Sequence, residues 1–192
     1  MHTLLAYTTR SAHTSRPDEF ESLLPIGLCS LHALLRSREI PATLANFSNM
    51  PHRQVIDLLL QIQPTVVGLS QWTHNRHATL ELARLIRQTL PDCMILLGGG
   101  HATHQAELIL QQNPEADLIA VGEAEQTLLD LLDALQTGKS LSEIPGLVIR
   151  TNNGILRTAH RLSWPDLDSL PFPTAWLHEA INLNIPLQAE FL

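Results

Sequence analysis

Apolar residues in this chain follow two alternating rhythms. Short unbroken runs at 4–7, 42–47, 65–70, 94–98 and 117–121 are set off by glycine, proline or polar segments and read as buried strands. Between them, apolar positions return every third or fourth residue: Leu28, Leu31, Leu34 and Leu35; Val55, Leu58, Leu59 and Ile62; Ala78, Leu82, Leu85 and Ile86; Leu128, Leu131, Leu132 and Leu135. That spacing predicts helices with one buried face, and a further helix is expected over 104–112. Pro25 suits a helix's first turn, Asn49 offers a cap near the start of the second helix, and Gly138 stops the last one.

Five strands alternating with five helices predict an α/β fold, a doubly wound five-stranded parallel sheet. The expected strand order is the flavodoxin-like 2-1-3-4-5, with its switch point between strands 1 and 3. The chain changes character after Leu141. Two short apolar runs flank Asn152, Asn153 and Gly154, a hairpin signal built on an Asn-Gly turn. Residues 164–173 are proline-rich and predict an ordered linker, and residues 174–192 have no evident partner element. The expected division is a Rossmann-like domain over 1–140, followed by a hairpin and linker over 141–192. No internal repeat or low-complexity tract interrupts it.

The fourth strand runs straight into Gly98, Gly99 and Gly100, with His101, Ala102, Thr103 and His104 following. Three successive residues without a Cβ let something bulky lie against the backbone at the strand's carboxyl end. Open α/β sheets bind ligands at that end. The same edge collects Thr8 and Thr9 after strand 1, Ser70, Trp72, Thr73 and Asn75 after strand 3, and Gly122 and Glu123 after strand 5. Ser70 also suits a cap of the third helix, and Trp72 could be a packing residue. His101 and His104 read as groups bonding near a helix start, and His74 as solvent-facing. The edge offers no nucleophile–base pair and no two carboxylates at working distance, so no catalytic residue is assigned. Small residues, hydroxyls, an amide and an indole fit holding a large, partly polar cofactor better than transforming a small substrate.

Composition narrows the classes. At 192 residues the chain can bury a sizeable core, and its hydrophobic fraction of 44% is ordinary for a globular protein. A net charge of −7, with Lys139 the single lysine, argues against nucleic acid. No run reaches transmembrane length and no signal pattern opens the chain, so a soluble, cytoplasmic protein without a membrane partner is expected. Cys29 and Cys93 form no CxxC pair and read as buried thiols; no zinc or iron–sulfur site can be built from them. The ten histidines form no HxxxH or HExxH arrangement, and no metal-ligating residue is assigned.

Four segments together carry a resemblance: Pro25, Ile26 and Gly27; the Val66 to Ser70 run; Gly98, Gly99 and His101 through Thr103; and Asp117 through Gly122, Glu123 and Glu125. In this order and spacing they resemble the cobalamin (vitamin B12)-binding domain at the amino end of cobalamin-dependent radical S-adenosylmethionine (SAM) enzymes. The tail from Asp166 to Pro173 resembles the segment that joins that domain to the radical barrel. The serine and double-glycine spacing, Ser70 and then Gly98-Gly99, also resembles the wider family of cobalamin methyltransferases and mutases. There these positions accommodate the cofactor's nucleotide tail in a cleft of the sheet.

The resemblance implies cobalamin as cofactor, at Thr8, Thr9, Ser70, Trp72, Thr73, Asn75, Gly98, Gly99, Gly100, His101, Gly122 and Glu123. The wider family's Asp-x-His-x-x-Gly loop, whose histidine ligates cobalt, is reduced here to His13 after Ser11 and Ala12. His13 is the best-placed candidate for an axial ligand, yet radical enzymes of this type commonly lack that ligand. The implied state is therefore base-off cobalamin with no protein histidine on cobalt. The CxxxCxxC that holds the radical cluster is missing. The 4Fe-4S cluster and SAM are expected only in a parent enzyme's catalytic domain, in the same parent chain or in trans, with this chain an isolated or truncated module incapable of cleaving SAM alone. The alternative is a flavodoxin-like electron carrier binding flavin mononucleotide in the loop at 8–15, although that loop lacks the glycine phosphate cradles use. A signalling receiver would need an acidic pair after strand 1 and an aspartate ending strand 3, where this chain has Thr8, Thr9 and Ser70.

Overall fold

The computed structural model describes residues 1–9, 25–162 and 166–183. Its strands are β1 (Thr3–Tyr7), β2 (Ala42–Asn46), β3 (Val66–Ser70), β4 (Met94–Gly98), β5 (Leu118–Ala120), β6 (Leu147–Thr151) and β7 (Gly154–Arg157). Its helices are α1 (Ile26–Ser37), α2 (His52–Ile62), α3 (Arg76–Thr89), α4 (Gly100–His104), α5 (Ala106–Gln112) and α6 (Glu125–Thr137). The strands form one sheet in the order β2-β1-β3-β4-β5-β6-β7. Its first five members are parallel in the order 2-1-3-4-5, with the switch point between β1 and β3 as expected.

The strand count differs from the expected five. The hairpin does not stand apart: β6 pairs antiparallel with β5, Ile119 opposite Val148, and β7 extends the sheet beyond it. A parallel edge strand leaves a row of unpaired backbone groups, and the hairpin satisfies those of β5. Its turn is Asn152 and Asn153, while Gly154 opens β7 at a φ of 115°.

Side chains alternate across the parallel strands, so each strand feeds two cores. Leu4, Ala6, Val67, Leu69, Ile95 and Leu97 pack beneath α2, α3, α4 and α5. Leu5, Tyr7, Val66, Leu96 and Leu118 face α1 and α6 on the other side. The near-continuous apolar character of these strands follows from burial on both faces.

Three local expectations are corrected. Asn49 does not cap α2; Pro51 precedes the helix and no side chain caps it. The helix expected over 104–112 begins earlier, at Gly100, and is broken at Gln105 into α4 and α5, so that Ala102, Ala106 and Ile109 all reach the core. The tail is not wholly without a partner. Ile181 pairs parallel with Ala45 on the outer edge of β2, its N–H donating to Leu44 O at 2.8 Å and its carbonyl accepting from Asn46 N at 3.0 Å. An Arg36–Glu179 ion pair at 2.9 Å ties the same segment to α1. Residues 184–192 lie outside the described residues. Gly138 ends α6 in the left-handed conformation, as expected. Among the described residues, no helix is long and apolar enough to cross a membrane.

Candidate functional site

The register of the central strands builds a slot. Leu5, Gly68 and Leu96 lie side by side on β1, β3 and β4, and all face α1. Gly68, with no side chain, makes room for the side chain of Leu5, whose Cδ2 lies 2.9 Å from where a Cβ would stand, and Leu5, Gly68 and Leu96 all line the cavity. Two residues further along each strand stand Tyr7, Ser70 and Gly98, at the carboxyl edge. Over this surface α1 descends from Ile26 and Gly27 to Leu28 and Leu31, and the start of α6 closes the far side with Ala124 and Glu125. The cleft between them has a volume of about 620 Å³ and opens at the carboxyl ends of β1, β3, β4 and β5. This is where the switch-point rule puts a ligand.

The three consecutive glycines do three different jobs. Gly98 faces the cavity, and a Cβ there would meet nothing within 4 Å. Gly99 sits at φ 97° and ψ 173°, where a Cβ would come 2.7 Å from Gln71 O. Two backbone bonds lock these loops together: Gln71 N donates to Gly98 O at 2.7 Å, and His101 N donates to Gln71 O at 3.2 Å. Gly100 seats the indole of Trp72, whose Cζ3 would be 2.9 Å from a Cβ at that position. Only Gly98 answers to the expectation of open space for a ligand. The other two approach the protein's own loop after β3.

Asn75 organises that loop. It is 3% exposed; its Oδ1 accepts from Trp72 N at 2.6 Å, and its Nδ2 donates to Thr8 O at 2.9 Å and Ser70 O at 3.1 Å. One amide thus ties the ends of β1 and β3 together at the switch point. Ser70 does not cap α3, and among the described residues its hydroxyl has no hydrogen-bond partner, leaving it available at the cavity mouth. Thr9 donates its N–H to Ser48 Oγ at 3.0 Å, while its own Oγ1 is buried and unpartnered among the described residues. On the other side of the mouth, Gly122 N donates to Thr103 Oγ1 at 3.1 Å, and Ser30 Oγ reaches Glu125 Oε1 at 3.4 Å.

Of the residues expected at the site, the cavity brings together Thr9, Ser70, Trp72, Asn75, Gly98, Gly99, Gly122 and Glu123. Thr8 is turned to the opposite face, beside Phe47 and Ser48, because alternate residues of a strand point apart. Thr73 is exposed, its carbonyl taken by Arg76, and Gly100 and His101 are not among the lining residues. His74, expected to face solvent, is exposed but stands at the mouth. His13 lies outside the described residues. Sequence reasoning missed the floor (Leu5, Gly68, Leu96) and the α1 wall (Gly27, Leu28, Leu31). The glycines of Gly27 and Gly68 were the legible signals; the leucines looked like any other core positions.

The site's electrostatics are those of a holder. Among the described lining residues there is no lysine or arginine, and Glu123 and Glu125 are the acids. No group of three His, Cys, Asp or Glu among the described residues could hold a metal ion. His101 is held below the ordinary histidine value by burial, with Arg76 and His77 adding to the effect. Cys29 and Cys93 lie in different cores on opposite faces of the sheet, and burial pushes their thiols up to about 12 and about 11. Open space beside Gly27 and Gly98, an apolar trough below, and unpartnered hydroxyls at Ser70 and Thr9 fit a bulky aromatic group with a polar connection.

A doubly wound sheet with a deep cleft at its switch point defines a ligand-holding α/β domain. The family profile of the B12 binding domain matches residues 21–132, more than half the chain, and the chain belongs to that family. It is 24% identical over 151 residues to an uncharacterized methyltransferase of Pyrococcus horikoshii, covering 78% of this chain and 33% of the relative. It is 28% identical over 152 residues to the anaerobic magnesium-protoporphyrin IX monomethyl ester cyclase of Synechocystis sp., covering 77% and 30%. Among solved structures, the radical SAM methyltransferase TsrM from Kitasatospora setae, with cobalamin and a 4Fe-4S cluster bound, superposes with a TM-score of 0.69 at 16% identity, covering 89% of this chain and 31% of that one. The chain thus spans about a third of the length of these relatives. The motif resemblance holds at the level of the family, and this favours the corrinoid reading over the flavin one.

Proposed function

We propose that this chain is the cobalamin-holding module of a cobalamin-dependent radical SAM enzyme, a methyltransferase or a related one. The observation that carries the reading is the slot of about 620 Å³ between the sheet and α1, floored by Gly68 and open beside Gly27 and Gly98. The cofactor's nucleotide tail enters this slot, with Ser70, Thr9 and Asn75 at the mouth and Gly122 and Glu123 on the opposite lip. When bound, cobalamin supplies a cobalt centre that carries a methyl group or exchanges electrons with a radical. This chain's residues bind and orient the cofactor and keep water from its buried tail.

With the lower base in the slot, cobalt carries neither that base nor a protein histidine. His13 has Ser11, not an aspartate, two residues before it, and an axial imidazole normally needs such an orienting acceptor. The partner is a radical SAM catalytic domain holding the 4Fe-4S cluster and SAM, in the same polypeptide or in trans, in the cytoplasm. The test is the visible spectrum of the purified protein after incubation with cobalamin, against incubation with flavin mononucleotide. Retention of a corrinoid spectrum through gel filtration supports the reading; retention of flavin alone overturns it.

A further inference from the structure

We infer that the slot selects corrinoids by their lower base, favouring an apolar aromatic base of the benzimidazole type over a purine. The inference rests on the proposed cobalamin reading and deepens it, because it concerns what reaches the bottom of the slot. The floor is Leu5, Gly68 and Leu96, and α1 adds Leu28 and Leu31. None of these side chains carries a hydrogen-bonding atom. Their backbone carbonyls are already engaged: the three floor residues sit in the parallel ladders of β1, β3 and β4, and the Leu28 and Leu31 carbonyls accept from the following turn of α1.

Polar side chains stand one layer higher, at the level of Tyr7 and Ser70, two residues further along each strand. At a strand rise of about 3.3 Å per residue, the apolar floor lies roughly 6–7 Å below that layer. The wall matches it in depth, since the five helical steps from Ile26 to Leu31 rise about 7.5 Å. A base lowered to the floor exchanges water for methyl groups and the edge of Gly68. Methyl-bearing or unsubstituted carbon edges gain from that exchange. The exocyclic amine of adenine finds no acceptor there, and a buried donor left unpaired costs on the order of tenfold in affinity.

Three corrinoids separate the possibilities: cobalamin, the adenine-based cobamide, and cobinamide, which has no lower base. The cost of detaching each base from cobalt belongs to the corrinoid, so it cancels when affinity ratios are compared between protein variants. Leu31→Gln places an acceptor on the wall while keeping the chain length, and Leu31→Met is its apolar control. The expected result is that cobalamin binds more tightly than cobinamide. In Leu31→Gln the cobalamin-to-adeninyl affinity ratio falls by about tenfold, the effect of giving one buried donor a partner, and in Leu31→Met it stays unchanged. A ratio that is the same in all three proteins, or cobalamin and cobinamide binding equally, overturns the inference while leaving corrinoid binding intact. Failure of every corrinoid to bind the wild-type protein would instead defeat the proposed function.

Discussion

The Cβ that Gly100 lacks would fall 2.9 Å from Cζ3 and 3.2 Å from Cε3 of Trp72. The indole therefore rests on the first residue of α4, and it remains 53% exposed at the cavity mouth. Gly100→Ala should push it off that seat. Alanine is the better helix former and an exposed indole can swing aside, so the expected change in stability is within about 1 kcal/mol. Tryptophan emission should shift to the red and cobalamin affinity should fall. An unchanged emission spectrum in a folded Gly100→Ala variant would show that the contact does not place the indole.

Gly98 and Gly99 should respond in opposite ways to the same substitution. Gly98→Val extends into open cavity and should abolish cobalamin binding at unchanged melting temperature. Gly99→Val would strain a φ of 97° and drive a side chain against Gln71 O, destabilising the fold by roughly 1–3 kcal/mol or more. Urea titration of both variants beside a binding assay separates the two roles.

Asn75 should matter for the fold before it matters for any ligand. Asn75→Ala removes three hydrogen bonds from a residue only 3% exposed and should cost on the order of 1–3 kcal/mol. Asn75→Asp should cost at least as much at neutral pH, because a carboxylate would face Thr8 O and Ser70 O in place of the amide that donates to them. Chemical denaturation of both variants makes the comparison, and a smaller loss in Asn75→Asp than in Asn75→Ala would count against this account.

A pH effect should arise away from the site. His32 on α1 is 2% exposed, and burial chiefly lowers its value from the ordinary 6.5; Glu179 opposes that shift and Arg36 adds to it. Above about pH 6.5 the ring is neutral in both folded and unfolded chains and its contribution to stability is complete. That contribution is lost as the pH falls below 6.5 towards the lowered folded-state value, because the unfolded chain then takes up the proton more readily. Stability measured at pH 7.5 and at pH 5.5 should fall more in the wild type than in His32→Leu. Identical losses would assign the effect to other groups.

Neither cysteine should react readily in the folded protein. With thiols pushed to about 12 and about 11, in cores on opposite faces of the sheet, Cys29 and Cys93 should resist an aromatic disulfide reagent until urea is added. Reconstitution with iron and sulfide should yield no cluster absorbance, and with SAM and a reductant no 5′-deoxyadenosine above a protein-free control. Rapid modification of one thiol in the native state would place that cysteine outside its core.

The strands, their alternation with helices and the parallel order were legible from the chain, because burial on both faces of a sheet and on one face of a helix imposes distinct apolar periods; the start at Gly100 and the break at Gln105 were not. Gly98, Ser70 and Gly122 were legible as edge residues, since a strand's end can be read from where its apolar run stops. Which way a residue points at that end was not. Thr8 and Thr9 are equally polar neighbours, and the pleat sends one to each face. The division of labour among Gly98, Gly99 and Gly100 was hidden for a related reason: Gln71 and Trp72 are more than 25 residues away in the chain and approach only after β3 and β4 pair. The slot's floor was hidden most completely. Leu5 and Leu96 have the same apolar character whether they fill a core or line a cavity, and only the strand register, with Gly68 between them, puts all three on the cavity floor. Local periodicity determines the elements. The voids between them depend on which side chains tertiary packing brings face to face.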